Sequence, residues 1–106
     1  ANGRLERALT GGSSPVVRVV HVAPRKGVLY YTARSDPERP YDVHLMRVRL
    51  DGTGRRQLTR EPGVHEVQWS PDGRYFIDTH SSLERPPVVE LRAVDGSRRL
   101  VLERTD

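Results

Sequence analysis

Four histidines, His21, His44, His65 and His80, and the hydroxyls that follow the last of them, Ser81 and Ser82, are the residues whose types could do chemistry near neutral pH. Imidazole titrates there, and beside a hydroxyl and a carboxylate it can serve as a general base. Asp78-Thr79-His80-Ser81-Ser82 holds all three types in one short run. The run is β-prone, however, and neighbouring side chains on a strand point to opposite faces, so adjacency is not a catalytic geometry. A serine nucleophile usually sits on a sharp exposed turn of the form GxSxG, and the sequence has none. Ser13-Ser14 follow Gly11-Gly12 but lead into Pro15, which reads as a polar linker. No catalytic residue is expected.

The histidines lack the close paired spacing of a metal motif, and no cysteine supports them. Strand polar positions and hydrogen-bonded partners explain them better, so neither a metal site nor a cofactor is expected. Asp51, Asp72 and Asp95 each precede glycine, which is turn chemistry rather than acid–base chemistry. Glu38-Arg39 and Glu84-Arg85 sit in two corresponding polar loops and read as surface ion pairs. Those loops are where a ligand would most readily find a foothold. No substrate-binding residue can be named.

The elements that carry these residues are short strands. Arg4–Thr10 is an alternating segment closed by Gly11–Pro15. Strands are expected over 16–22, 28–33, 43–50 and 55–59, then over 64–69, 74–79, 88–94 and 98–103. Along Val43–Leu50, Val43, Leu45 and Arg47 share one side and His44, Met46 and Val48 the other. Between the strands lie turns at Ala23–Gly27, Asp51–Gly54, Ser70–Gly73 and Asp95-Gly96, and polar loops over Ser35–Pro40 and Ser82–Pro87. In Ser70-Pro71-Asp72-Gly73, Pro71 presets φ, Asp72 can bond its own downstream backbone, and Gly73 accepts a positive φ. Arg4–Leu9 is too short to stand as a helix.

The pattern repeats. Pro71 follows Pro24 by 47 residues, and Thr79 follows Thr32 by the same interval. Leu9-Thr10 matches Leu58-Thr59 at 49, Arg39-Pro40 matches Arg85-Pro86 at 46, and Asp51-Gly52 matches Asp95-Gly96 at 44. Four strands per unit at such a period describe the blades of a β-propeller. The fold class is therefore all-β: a propeller fragment of two four-stranded antiparallel blades, 13–60 and 61–106, preceded by an outer strand of an earlier blade, 1–12. His65 falls at the start of an innermost strand, where a side chain can tie neighbouring blades together. Two blades share one interface and would leave two outward faces bare. With roughly 500 Å² of apolar surface each, about 12 kcal/mol of burial is forgone per face, so self-association is expected.

Charge narrows the partners. The chain has 17 arginines against one lysine, Lys26, and a net charge of +4. The basic residues are scattered among acids, with Arg55-Arg56 and Arg98-Arg99 the only adjacent arginines, so a nucleic-acid partner is not expected. No apolar run is long enough to span a bilayer, and the absence of cysteine excludes disulfides without choosing a compartment.

An ordered set of segments then resembles a known family: Arg7–Thr10, Val28–Ala33, Leu45–Gly52, Leu58-Thr59 with Gly63-Val64-His65, Ser70–Phe76, and Ser81-Ser82 with Pro86-Pro87. Together they resemble the last two blades of the N-terminal propeller of dipeptidyl peptidase IV-like enzymes, in the prolyl oligopeptidase family of serine peptidases. The resemblance implies a parent that removes dipeptides from peptide N-termini, with its triad in a separate α/β-hydrolase domain. The paired glutamates that hold the substrate amine in this family have no counterpart here. The implied role is architectural: completing the propeller, gating access to short peptides and packing on the hydrolase domain. The family also suggests a periplasmic, cell-surface or secreted location. The alternative is a non-enzymatic TolB- or WD40-like propeller module that binds protein partners.

Overall fold

The computed structural model describes residues 16–95 and 99–104. Its strands are β1 (Val16–Ala23), β2 (Val28–Ala33), β3 (His44–Arg49) and β4 (Arg56–Gln57), then β5 (Val64–Trp69), β6 (Tyr75–Ser82), β7 (Arg85–Ala93) and β8 (Arg99–Arg104). They form two four-stranded antiparallel sheets, each a meander in chain order. Among the described residues there is no helix, and so none long and apolar enough to cross a membrane. The outer strand expected within 1–12 lies outside the described residues.

The two blades turn their corners alike. Pro24 follows the end of β1, where the Gly27 N–H donates to the Pro24 carbonyl at 3.1 Å. Pro71 follows the end of β5, where the Gly73 N–H donates to the Ser70 carbonyl at 3.0 Å. Gly27 and Gly73 close these turns at φ 68° and 75°, values only glycine adopts freely. Asp72 Oδ1 accepts from the Arg74 N–H at 3.0 Å and from the Ser70 hydroxyl at 2.6 Å, fixing the hairpin from inside.

Every residue of β2 is buried, because it has packed neighbours on both faces. Leu29, Tyr31 and Ala33 join Met46 and Val48 on one side. Val28 and Tyr30 join Leu45 on the other and meet Val67 and Phe76 of the second blade. Each such aliphatic or aromatic side chain contributes about 1.5–3 kcal/mol by leaving water. Trp69 completes this seam, with ring centroids 4.6 Å from Tyr30 and 4.9 Å from Phe76. The expectation of two bare faces fails for the first blade: the Leu29–Tyr31–Met46 side is closed from solvent, with Val22 and Leu50 packed against it. On the second blade, Leu100, Val101 and Leu102 of β8 remain exposed.

Two further expectations are corrected. The loop over Ser82–Pro87 shrinks to a turn at Leu83 and Glu84, because β6 runs to Ser82 and β7 starts at Arg85. Prolines 86 and 87 fit in that strand because they lie at the register shift between His80 and Ser82, beyond the reach of β8, whose pairing begins at Val88. A missing N–H costs no ladder bond there. The closing strand expected over 55–59 is only Arg56–Gln57, after which one bond, Leu58 N–H to the Leu45 carbonyl at 2.8 Å, keeps the chain in line.

The blades are joined where the chain enters β3 and β5. Val43 and Val64 form a parallel bridge, in which the Val43 N–H donates to Gly63 at 3.0 Å and the His65 N–H donates to Val43 at 2.9 Å. Arg18 reaches across to the Val67 carbonyl at 2.8 Å.

Candidate functional site

The strand register assembles a buried polar layer beside that seam. On β5 and β6, His65 lies opposite His80 and Val67 opposite Asp78; on β6 and β7, Asp78 lies opposite Glu90. Alternation puts Asp78 and His80 on the same buried face as Phe76, and His65, Asp78 and Glu90 are almost wholly enclosed. His65 Nδ1 stands 2.8 and 2.9 Å from the two Asp78 oxygens, and its Nε2 stands 2.7 Å from the Glu61 carbonyl. A carboxylate and a carbonyl are acceptors, so this setting favours a charged imidazole that donates from both ring nitrogens. Burial opposes that charge, but the hydrogen bond and charge of Asp78 outweigh it and hold His65 above the ordinary imidazole value.

The other two histidines of the layer pack on this ring, His80 stacked and His44 tilted. His80 lies 4.8 Å and His44 5.2 Å from it, centroid to centroid. His44 Nδ1 is 2.8 Å from the Thr59 hydroxyl, and burial followed by the charge of His65 pushes His44 below its usual value. His80 Nε2 is 2.9 Å from Glu90. Arg99 grips Glu90 and also bonds Glu61. The Arg99 hydrogen bond, working against burial, holds the Glu90 carboxyl down to about 2. Arg92 approaches Asp78 at 3.6 Å and lies over the Phe76 ring, 5.5 Å from its centroid.

The layer pairs buried opposite charges. Glu61, His65 and Asp78 offer ligand atoms within 4.8 Å of one another. Asp78 and the Glu61 carbonyl engage both ring nitrogens of His65, and Arg92 and Arg99 lie beside the carboxylates. Ser81 pairs opposite Val64, on the other face of β6 from His80, and the imidazole–hydroxyl contact of the layer is that of His44 with Thr59. His21 takes no part in the layer; its ring stacks on Trp69 at 5.1 Å. Sequence reasoning placed His65 at the seam but missed Asp78, Glu90, Arg92 and Arg99. The signal was present: Phe76-Ile77-Asp78-Thr79-His80 alternates, and Asp78 occupies a core position.

The polar loops meet at the other candidate. Residues 38–42 and 81–84 border a cleft of about 540 Å³ at the end where β5 begins. Arg39 pairs with Asp42 at 2.7 Å rather than with its neighbour Glu38. Asp42 is nearly buried; burial raises its carboxyl, but the Arg39 hydrogen bond and others bring it below the usual range. Tyr41 and Leu83 stand exposed on the same rim.

Residues 1–87 match the family model described as the dipeptidyl peptidase IV N-terminal region. The chain belongs to that family. Its fold is similar to the crystal structure of Porphyromonas gingivalis dipeptidyl peptidase 4, with a TM-score of 0.76 at 24% identity over 90% of this chain. The aligned part is 13% of that protein's chain, so the family's propeller region in this sequence corresponds to a small piece of the longer relative.

Proposed function

We propose that this chain is a scaffold and gating part of a serine exopeptidase that removes dipeptides from peptide N-termini, and that it is inactive by itself. The observation that carries the reading is the family match over residues 1–87. Two features of the blades support it. The charged side chains of the interior are paired with one another, which suits a rigid support better than a reaction centre. The strand β8 runs toward the rim that holds Tyr41 and Leu83, since Val88 at the start of β7 pairs with Arg104. The exposed Tyr41 and Leu83 are suited to pack on a hydrolase domain of the parent.

The test is made on the full-length parent. It should cleave a glycyl-prolyl chromogenic substrate, and a serine-directed inhibitor should stop it. The isolated chain should release no product. A parent with no such cleavage would remove the peptidase reading and leave the protein-binding propeller module.

A further inference from the structure

A second cleft, of about 430 Å³, opens between the two blades at the end opposite the Tyr41 rim, and it gathers Lys26, Arg47, Arg56 and Arg92, with one carboxylate, Asp95, around the rings of Tyr30 and Phe76. These four cations are distant in sequence, which is why the linear pattern showed no basic cluster. Arg47 of β3 and Arg56 of β4 are a directly opposed cross-strand pair. Like charges in that relation repel at a Cβ separation of about 5 Å.

The second blade contains the same relation and resolves it. Arg92 and Arg99 are directly opposed on β7 and β8. There Asp78 sits beside Arg92, while Glu90 and Glu61 bind Arg99. Among the described residues, Asp78, Glu90 and Glu61 pair with Arg92 and Arg99 and not with Arg47, Arg56 or Lys26. The Nη1 of Arg92 is buried without a hydrogen-bond partner. The first blade thus presents an arginine pair to a cleft with aromatic walls, whose lining holds four cations against the single carboxylate of Asp95.

We propose that this cleft binds a dianionic oxyanion of the phosphate type. Two guanidinium forks carried side by side on paired strands match the oxygens of such a group and its double charge. Lys26 adds a point charge at the mouth. Tyr30 and Phe76 offer an apolar wall to an organic body attached to the anion. The site is separate from the peptidase reading and does not depend on it.

The test is calorimetric titration of inorganic phosphate and of phenyl phosphate into the full-length protein at constant ionic strength. One binding event with a Kd of about 1 mM or tighter is expected. The double variant Arg47→Gln/Arg56→Gln should weaken it at least tenfold while raising stability slightly in phosphate-free buffer. Should the double variant fail to fold, Lys26→Gln on the exposed turn should weaken binding at least threefold. Tighter binding of phenyl phosphate identifies an organophosphate, and equal binding identifies the free ion. Absence of binding, equal binding by wild type and variants, or full competition by chloride at matched ionic strength would overturn the proposal.

Discussion

Replacing Asp78 by asparagine is the sharpest perturbation of the seam. The side chain keeps its shape and loses the charge that faces His65 Nδ1 at 2.8 Å and Arg92 at 3.6 Å. Asp78 is fully buried, so water cannot take its place. Breaking one partner of a buried ion pair costs about 3–5 kcal/mol. The amide oxygen can still accept one hydrogen bond from the imidazole, which leaves an expected loss of about 2–4 kcal/mol. Equilibrium urea unfolding followed by the fluorescence of Trp69, the only tryptophan, would measure it. The same variant should lower the His65 pKa, because Asp78 raises it and burial alone pushes it down. Proton NMR titration of the imidazole resonances reads that shift. A loss below about 1 kcal/mol with an unmoved His65 resonance would refute the assignment of a buried charge pair.

Further outcomes follow from the same contacts. Gly63→Ala should cost about 3 kcal/mol or more, since at φ 120° an added Cβ would stand 2.3 Å from the Ser81 carbonyl oxygen, a backbone atom that cannot rotate away; unchanged thermal melting would contradict this. Glu90, ordinarily near 4.5, is held at about 2 in the fold by Arg99. A depressed carboxyl stabilises the folded state above its unfolded value and loses that contribution as pH falls through its folded value. Acid unfolding between about pH 5 and pH 2 should therefore be less steep in Glu90→Gln, which lacks roughly 2 kcal/mol of this support after allowing for the half-exposed Arg99. His65 works in the opposite sense: its raised value adds stability below the ordinary imidazole range, lost as pH rises through the folded value. In His65→Gln the rise in stability between neutral and mildly acid pH should shrink, as urea midpoints across that range would record.

The backbone was legible where turn chemistry and β-branched runs agree. Ser70-Pro71-Asp72-Gly73 and the strands Val28–Ala33 and Val64–Trp69 stand where their residue types put them. Pro86-Pro87 misled because proline is read as a strand breaker, whereas register let both residues sit outside the shared ladder. The outward face of the first blade misled for another reason: burial depends on what covers a face, and local alternation does not say what that is. The site was legible only in part. His65 marked the seam by its place at a strand start, but its partners Asp78 and Glu61 are set by cross-strand register and by the chain between blades. The cationic cleft was invisible, because its four cations come from one turn and three strands.

The account's central claim is that these blades gate a peptidase from the rim bearing Tyr41 and Leu83. Its most direct measurement is kcat/KM of the full-length parent for N-terminal dipeptide release from a short peptide and from a long one, in wild type and in Tyr41→Ser/Leu83→Ser. The account predicts that the variant gains on the long peptide relative to the short one, by about tenfold if roughly 1.4 kcal/mol of seam packing is lost. An unchanged ratio in a folded, active variant would contradict it.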